Sequence, residues 1–458
     1  MYSGDRRLRG RTVGVLGLAR TGAACVRFLA DHGATVVALD SRPVDGLRQD
    51  SRDALSRAAF VAAPYGTLTD LPPIDLMVVS PGVPTDVPLL CQAWAAGVEV
   101  IGEVELAYRF CEAPICAVTG TCGKGTTVTS LGAMLSAAGI ASTVAGNIGL
   151  PLIGQMDRSA QLDLVVAETS SFQLETTVHF HPHVAVLLNI TEDHLERYPD
   201  FEAYAAAKRL IFRNQTARDF AILCVDDARV SAMADGLQAQ VLRVALDDPG
   251  ANGRLEDGAL VLQLPGREAV TVAHRERLPL QGRHHLGNFL AAGLAALVCG
   301  VDPERIGPAL AAYEPAPHLM TPVATVEGVT FVDDSKATNP ASAIADLSGI
   351  AGPTIVIAGG KEKDTDFDEF GAALASRAKA VILMGECAAR IEAAVGVAAL
   401  CHRVASMQEA VQLAFGLAQP GDTVALCPAC SSLDMFESYA RRGEVFALAV
   451  RSLGAQRA

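Results

Sequence analysis

Short apolar runs alternate with Gly-containing turns and amphipathic stretches along most of this chain. Three clear instances begin with the runs TVGVLGLARTG, ICAVTGTCGKGTT and TIVIAGGKEKD. In each of them the β-branched run predicts a buried strand, and the amphipathic stretch after the turn predicts a helix. Repetition of strand, turn and helix is typical of α/β domains built on parallel sheets. We therefore predict an α/β protein.

The order of these patterns also predicts the domain organisation. Further buried strands are predicted at ATVVALD, DLMVVSPG, DLVVAETSS, VAVLLNI, VTFVDDSKATNP, AVILMG and TVALCPAC, with helices at GAACVRFLADHG, EAYAAAKRLIF and LGNFLAAGLAALVCG. The first region ends near IGEVELAYRF, and the Pro-dense segment YEPAPHLMTP predicts a linker before the last region. At ~150 residues per domain, 458 residues correspond to about three domains. We place them at residues 1–102, 103–315 and 316–458.

Composition restricts the classes of protein that this chain can belong to. Hydrophobic residues make up 50% and charged residues 19%, which indicates a globular protein. The net charge of −14 argues against a protein that covers nucleic acid with a basic surface. The 11 cysteines show no repeated metal-ligand spacing, and MYSGDRRLRG lacks the apolar segment of a signal peptide, so we expect reduced thiols and a cytoplasmic location. The longest apolar stretches are too short to cross a bilayer, so no membrane association is expected.

The strongest chemical signal is the Gly-rich loop from Gly120 to Thr127, between a predicted strand and a predicted helix. Glycines allow backbone N–H groups to surround a phosphate chain, and Lys124 can reach its terminal phosphates. The loop resembles a Walker loop with a shorter spacing, in which Thr126 or Thr127 would supply the hydroxyl for Mg²⁺. The alternative is an ordinary Gly-rich turn, which the lysine and the two threonines make less favourable.

A second Gly-containing loop, Gly17 to Gly22, follows the first predicted strand and is a weak dinucleotide-type motif because Ala19 replaces its middle glycine. Taken alone, this loop is equally consistent with a structural turn. Asp40 ends the next strand, where an acidic residue commonly meets a ribose. Together these features predict a nucleotide-containing ligand.

Two polar residues follow neighbouring strands of the middle region. Glu168 ends the run DLVVAE, and His194 lies beside Asp193 after VAVLLN. A carboxylate and an imidazole at adjacent strand ends can hold Mg²⁺ between phosphate oxygens. For the other histidines, in HFHPH (residues 179–183) and at His284 and His285, the local spacing favours a structural role over metal binding.

Two lysine-containing loops in the last region, at residues 334–339 and 359–363, each follow a predicted strand. Their lysines either bind an acidic substrate at the sheet edge or are solvated surface residues. Ser431 and Ser432 after a third strand favour a carboxylate-binding site.

Taken together, these motifs resemble the Mur ligases, the ATP-dependent amide-bond enzymes of bacterial cell-wall precursor synthesis. The matching segments, in order, are GLARTG, SPGVP, GTCGKGTT, AGNIG, AETSSFQLE, NITEDHLERY, YAAAKRLIF, DDSKATNP, GGKEKDTDF and CPACSSLDMFESYARRG. DSKATNP and PACSSLDMF are most similar to the members that add D-glutamate. The resemblance implies three domains: an N-terminal Rossmann-like domain, a central P-loop ATPase-type parallel sheet and a C-terminal Rossmann-like domain. It also implies a monomer that joins D-glutamate to UDP-N-acetylmuramoyl-L-alanine through an acyl phosphate, supporting cell shape and division.

The resemblance further implies a role for each matching residue. The UDP substrate would contact Arg20, Thr21, Asp40, Ser41, Arg42, Ser80, Gly82 and Asn147. ATP would contact Gly120, Thr121, Gly123, Lys124, Gly125, Thr126, Thr127, Asn288 and Asp334. Mg²⁺ would be held by Glu168, His194 and Lys208, the last as a carbamate, and Lys124, His194 and Lys208 would be catalytic. D-Glutamate would contact Lys336, Thr338, Lys363, Ser432, Leu433 and Tyr439.

The chain departs from the family pattern at Cys122, Gly125, His285, Leu319 and Asp333. Gly125 is similar to the GKGS loop of folylpolyglutamate synthases, so its presence is compatible with ATP use. The departures leave two alternatives open. One is a ligase of the same superfamily with another substrate, such as a folate, against which the N-terminal nucleotide domain argues. The other is a nucleotide-binding paralogue that has lost catalysis.

Overall fold

The computed structural model of the protein describes residues 2–68, 70–193, 197–361 and 365–455. The chain forms two compact units: the first comprises Met1–His274 with Gly287–Ala311, and the second comprises Arg275–Leu286 with Ala312–Ala458. Two sheets belong to the first unit and one sheet to the second. The predicted three-domain α/β fold is confirmed, whereas the exact boundaries stay a prediction.

The N-terminal sheet has the strand order β3-β2-β1-β4-β5, and all of its strand pairs are parallel. Its elements are β1 (Thr12–Leu16), α1 (Arg20–Asp31), β2 (Thr35–Leu39), α2 (Gln49–Leu55), β3 (Phe60–Ala62), β4 (Leu76–Val79), α3 (Pro88–Ala95), β5 (Glu99–Gly102) and α4 (Glu103–Phe110). The strand order reverses between β1 and β4. The loop after β1 therefore lies at the switch point where open α/β sheets bind ligands.

The middle sheet has the order β14-β13-β12-β11-β10-β9-β6-β8-β7 and is parallel except at the β12–β13 and β13–β14 pairs. Its elements are β6 (Ile115–Thr119), α5 (Lys124–Ala138), β7 (Ser142–Gly146), β8 (Leu164–Glu168), α6 (Ser171–Glu175), β9 (Val184–Leu187), α7 (Phe201–Arg209), β10 (Phe220–Cys224), α8 (Ala228–Ala232), β11 (Gln240–Val244), β12 (Gly253–Glu256), β13 (Ala259–Leu262), β14 (Val270–His274), α9 (Arg283–Val298) and α10 (Pro303–Ala311). Because β6 lies between β8 and β9, the segments that follow these three strands meet at one edge of the sheet.

The sheet of the second unit has the order β15-β16-β20-β17-β18-β19, in which only β15 is antiparallel to its neighbour. Its elements are β15 (Thr321–Val326), β16 (Val329–Asp333), α11 (Pro340–Ser348), β17 (Thr354–Ala358), α12 (Asp368–Arg377), β18 (Ala378–Leu383), α13 (Ala388–Val395), β19 (Leu400–Arg403), α14 (Met407–Leu417), β20 (Thr423–Leu426) and α15 (Tyr439–Ala455). β20 lies between β16 and β17, so the loops after these strands come together.

The predicted strands are present, and the differences occur at helix ends. The helix predicted from Gly22 begins two residues earlier, at Arg20, and α7 ends at Arg209 before a short 3-10 turn, Leu210–Phe212. None of the helices in the described part of the chain is long and apolar enough to cross a membrane.

Candidate active site

The loop between β6 and α5 has the backbone geometry of an anion-binding turn. Gly123 precedes α5 with φ +84°, a conformation that favours glycine, and the position of a Cβ there is occupied by the side-chain amide of Asn288. Asn288 lies on α9, so the fold brings this predicted ATP contact to the loop. The Thr127 hydroxyl donates to the Gly123 carbonyl over 3.0 Å. Of the two threonines predicted to contact Mg²⁺, Thr127 is therefore held in place by this bond.

Two lysines converge on the Gly120 carbonyl. Lys124 Nζ donates to this oxygen over 2.8 Å and to the Thr121 carbonyl over 2.7 Å. Lys208 Nζ reaches the same Gly120 oxygen over 2.8 Å from α7 and lies 4.6 Å from the ring centre of Tyr204. Lys208 is 2% exposed. Burial, reinforced by the charge of Lys124, lowers its pKa well below the ordinary value for lysine.

Glu168 lies at the carboxyl end of β8, next to the same loop. Its Oε1 accepts a hydrogen bond of 2.9 Å from Asn147 Nδ2, and the residue is 5% exposed. A Cβ at Gly125 would lie 3.6 Å from Glu168 Oε2, which places this oxygen beside the first turn of α5. The structure therefore gathers Glu168, Asn147 and the phosphate-type loop. His194 lies outside the described residues.

Two residues that stabilise this loop were missed by the sequence analysis. Asn189 accepts from the Cys122 amide through Oδ1 over 2.8 Å and donates to the Cys122 carbonyl through Nδ2 over 3.1 Å. The Tyr204 hydroxyl lies 3.1 Å from the Thr121 hydroxyl. Their positions in the sequence could have indicated both residues, since Asn189 follows a predicted buried strand and Tyr204 lies one helical turn before Lys208.

The N-terminal loop is organised by Asp40. Its Oδ2 accepts from the Leu18 amide over 2.7 Å, and its Oδ1 accepts from the Arg42 amide over 2.9 Å and from Arg42 Nε over 3.0 Å. Although burial opposes ionisation, these bonds hold the pKa of Asp40 below its ordinary value. Gly17 has φ +89°, and the Ser80 hydroxyl donates to its carbonyl over 2.7 Å.

The close turn itself requires glycine at positions 17 and 22, because a Cβ at Gly22 would collide with the Gly17 carbonyl.

Exposed residues surround this buried framework. Arg20, Ser41, Arg42 and Gly82 are exposed, and Thr21 is partly buried. Arg20 also reaches the carbonyl of Asn147 over 3.3 Å, which connects the two predicted substrate regions.

In the second unit, the loops after β17 and β20 pair with each other. The Lys361 amide donates to the Ser431 carbonyl over 2.8 Å, and a Cβ at Gly360 would collide with the same carbonyl. The predicted D-glutamate residue Lys363 lies outside the described residues, two positions after this pairing. Ser432 is buried, Thr338 is partly buried, and Leu433 and Tyr439 are exposed. Lys336 Nζ lies 5.2 Å from the ring centre of Tyr439.

Arg442 on α15 connects two of these loops and was missed by the sequence analysis. Its guanidinium donates to the hydroxyl and carbonyl of Ser335, each over 2.9 Å, and to the Cys430 carbonyl over 3.0 Å. The residue is 1% exposed, and burial lowers its pKa to about 10. Asp334, one residue before Ser335, is buried, and burial together with the charge of Asp346 raises the pKa of its carboxyl group. No sequence spacing indicates the contacts of Arg442 with Ser335, because these two residues are far apart in the chain.

Four of the five histidines for which a structural role is favoured pair with distant carboxylates. His181 and His183 contact separate oxygens of Asp219, at 2.7 and 3.1 Å. His284 and His285 contact one oxygen of Asp346, both at 2.9 Å. Local spacing could not reveal either carboxylate, since each comes from a different part of the sequence.

Three family models match the chain: a Mur ligase MurD-like N-terminal domain at residues 11–102, a Mur ligase middle domain at 118–296 and a Mur ligase glutamate ligase domain at 320–430. A UDP-N-acetylmuramoylalanine–D-glutamate ligase from Trichlorobacter lovleyi is 41% identical over 97% of this chain and 100% of its own length. The chain belongs to the Mur ligase family. A ligase of the same name from Geobacter metallireducens is 40% identical over 98% of each chain.

Solved structures agree with this Mur ligase fold. A pseudomurein peptide ligase type C from Methanothermus fervidus is similar with a TM-score of 0.63 and 17% identity, covering 97% of this chain and 100% of its own. MurF ligase from Thermotoga maritima, solved in complex with ADP, is similar with a TM-score of 0.61 and 17% identity, covering 93% of this chain and 96% of its own. At these identities the likeness establishes the fold.

Several departures from the Mur ligase pattern have a structural account. Asn189 holds Cys122 through its backbone amide and carbonyl, and these two bonds do not depend on which side chain stands at this position. Asp333 accepts from the Ser335 amide over 2.9 Å and pairs with His318 Nδ1 at 2.7 Å. Leu319 is buried in the turn that follows His318.

Proposed function

We propose that this protein is a cytoplasmic, ATP-dependent ligase that adds D-glutamate to UDP-N-acetylmuramoyl-L-alanine in peptidoglycan precursor synthesis. One observation carries the proposal: Lys124, Glu168 and Lys208 gather around the Gly120–Thr127 loop in a chain with full-length relatives of that name. A carboxylate and an amine do not condense at neutral pH, because oxide is a poor leaving group. ATP overcomes this barrier by converting the carboxylate into an acyl phosphate.

The loop residues act in the first step. The amides at the start of α5 bind the phosphate chain, and Gly123 allows the backbone to approach it closely. The Lys124 ammonium neutralises charge that develops as the γ-phosphoryl group moves to the substrate carboxylate. Asn288, against Gly123, and Asp334 contact the remainder of ATP.

The described residues fit an Mg²⁺ site in donor chemistry. Glu168 presents a buried carboxylate beside the loop, and oxygen donors are the ligands that Mg²⁺ prefers. Glu168, His194 and a carbamylated Lys208 would hold the ion. When bound, it would neutralise phosphate charge. The buried, depressed-pKa amine of Lys208 is suited to carbamylation, because a neutral Nζ attacks the carbon of CO₂ and loses a proton as the N–C bond forms.

In the second step the amino group of D-glutamate attacks the acyl phosphate, and the tetrahedral intermediate collapses to the amide and phosphate. His194 or a nearby carboxylate assists deprotonation of the amine. Lys363, Lys336, Thr338, Ser432, Leu433 and Tyr439 form the glutamate pocket. The pairing of the Lys361 and Ser431 segments supports this assignment, because it brings two of the loops together.

The N-terminal loop binds the UDP part of the substrate. Arg20, Thr21, Ser41, Arg42 and Gly82 surround the framework of Asp40 and Ser80, and Asn147 contacts the muramoyl-alanine part. The proposal also includes a monomeric state and three domains, at residues 1–102, 103–315 and 316–458. The three sheets, one in each of these ranges, support the division.

Phosphate release measured with UDP-N-acetylmuramoyl-L-alanine, ATP, Mg²⁺ and each glutamate enantiomer tests the proposal. We expect release with D-glutamate and little with L-glutamate. Release with a folate substrate instead would favour the folate ligase alternative. Nucleotide binding without release under any of these conditions would favour a paralogue that has lost catalysis.

A further inference from the structure

In the second unit, two adjacent histidines converge on one carboxylate oxygen. His284 and His285 lie in the first turn of α9, and each Nε2 is 2.9 Å from Oδ1 of Asp346 on α11. Their ring centres are 3.8 Å apart. Three potential metal ligands from two helices therefore point at one location.

The surrounding structure encloses this cluster. The side chains of His284, His285 and Asp346 are 28%, 6% and 5% exposed. The start of α9 and the end of α11 are packed closely, since a Cβ at Gly349, directly after α11, would lie 3.3 Å from the Cα of Gly282, directly before α9. His285 Nδ1 is buried and has no hydrogen-bond partner among the described residues. Among the described residues, the His285 ring therefore has a hydrogen-bond partner at Nε2 and none at Nδ1. A buried imidazole with a purely structural role usually has its polar atoms hydrogen-bonded.

The donor set matches a divalent transition metal. Two imidazole nitrogens and one carboxylate oxygen are common ligands of Zn²⁺ and related ions, and three protein ligands leave a fourth position open. The three ligand atoms all lie within 4.8 Å of one another. Tetrahedral coordination at ~2.0–2.2 Å requires ligand atoms about 3.3 Å apart, so small side-chain movements are sufficient to admit an ion.

The cluster at Asp219 provides an internal comparison. There the two histidines contact different carboxylate oxygens, and Oδ2 also accepts from the amide and hydroxyl of Thr216, over 2.7 and 2.8 Å. At Asp219 the histidines therefore do not share an oxygen, whereas His284 and His285 both contact Oδ1 of Asp346, whose carboxyl group also has a side-chain hydrogen bond with Asp334. Within the described ranges, the His284–His285–Asp346 group alone brings three such ligand atoms together.

We propose that His284, His285 and Asp346 bind one divalent transition-metal ion of the Zn²⁺ class. The ion would cross-link the start of α9 to α11. Its ligands differ from the residues proposed for Mg²⁺, and nitrogen donors select against Mg²⁺. An ion that binds the folded chain and not the unfolded chain would stabilise the second unit by mass action.

The test uses the full chain, freed of metal by a chelator and kept without nucleotide, because ATP itself binds Zn²⁺. Equilibrium dialysis against Zn²⁺ in excess Mg²⁺ measures stoichiometry and affinity, and visible absorption of the Co²⁺ form reports the coordination. We expect one tightly bound ion in the wild type. Asp346→Asn and the double variant His284→Gln/His285→Gln should bind it at least about a hundredfold more weakly, since even outer partners of a ligand typically contribute tenfold or more.

Two control variants locate the ion. His181→Gln alters the Asp219 cluster, and Glu168→Gln alters the proposed Mg²⁺ region, and both should retain the ion. Zn²⁺-induced shifts of the His284 and His285 ring signals in wild-type NMR spectra provide a readout that is independent of variant folding. An absence of binding or of these shifts in the wild type would overturn the proposal, as would retention of the ion by the Asp346 and double histidine variants.

Discussion

Lys124 and Lys208 donate to the same atom, the backbone oxygen of Gly120, each over 2.8 Å. Two like charges this close to one carbonyl repel each other, and the repulsion acts most strongly on the buried partner, Lys208. Burial and the charge of Lys124 therefore lower the pKa of Lys208. The lowered pKa favours the neutral amine at Lys208, which is the form that the proposed carbamylation requires.

Lys208→Ala should reduce ligase turnover severely, because it removes the amine proposed to carry the carbamate. Short carboxylic acids or bicarbonate should partly restore the rate by supplying a carboxylate in its place. Steady-state phosphate release with and without added acid measures the effect. Lys379→Ala, which removes a partly exposed lysine paired with Asp422, is the matched control and should behave as the wild type. Unchanged activity of Lys208→Ala would exclude the role.

Lys124→Ala should leave the protein folded and lower kcat by about a hundred- to a thousandfold. The reason is the loss of a cation that stabilises developing phosphoryl charge, a contribution of about 3–4 kcal/mol at comparable sites. Circular dichroism checks the fold, and single-turnover phosphate release measures the chemical step. Near-normal kcat in the folded variant would contradict the assignment of the loop.

Gly123→Ala and Gly125→Ala form a matched pair in the same loop. Gly123 has φ +84° and faces Asn288, so alanine is strained and must displace that amide. Gly125 lies within α5, and the nearest side-chain atom to its Cβ position is 3.3 Å away, on Ile148. We expect Gly123→Ala to raise the KM for ATP at least about tenfold, corresponding to ~1.4 kcal/mol, and to lower thermal stability.

Gly125→Ala should change stability by less than about 1 kcal/mol in either direction, because better helix propensity offsets the closer contact. Thermal midpoints and ATP titrations of both variants provide the comparison. Equal changes in the KM for ATP and in the thermal midpoint for the two variants would show that the backbone conformation of Gly123 does not determine ATP binding.

The sequence predicts those parts of this molecule that depend on local pattern. The sequence predicts the strand–helix turn correctly, because β6 and α5 are recognisable from neighbouring residues, but only Gly120–Gly123 form the turn and Lys124–Thr127 are the first residues of α5. The contact between Gly123 and Asn288 and the two bonds from Arg442 to Ser335 join segments distant in sequence, so no spacing encodes them. The same reason explains why the carboxylate that pairs with His284 and His285 went unpredicted.

Glu103→Gln should change how stability depends on pH. Glu103 is 2% exposed, and burial raises its pKa from 4.5 to about 7, although Oε1 accepts from the Ile153 amide over 2.7 Å. Because the folded-state pKa is higher than the unfolded value, the folded chain binds more protons between these values. The associated stability is complete below pH 4.5 and is lost as the pH rises through about 7.

The difference between 4.5 and about 7 corresponds to about 3 kcal/mol. The stability of Glu103→Gln relative to the wild type should therefore improve by up to this amount between pH 4.5 and pH 8. Chemical unfolding at several pH values measures the change, and Glu444→Gln, at a half-exposed position, is the control. A constant difference across this range would contradict the raised pKa.

Lys363→Ala should raise the KM for D-glutamate by about ten- to a hundredfold, with smaller effects on the KM values for ATP and the UDP substrate. A dicarboxylate needs a partner at each end, and a charge-assisted hydrogen bond contributes ~1.5–3 kcal/mol, at about 1.4 kcal/mol per factor of ten. Lys361, two residues earlier, is exposed and pairs with Ser431 through its backbone amide. Lys361→Ala therefore removes the same charge from the same loop without removing the proposed partner of the substrate. Equal KM values for glutamate in the two variants would mean that Lys363 is a solvated surface lysine whose loss costs at most ~0.5 kcal/mol.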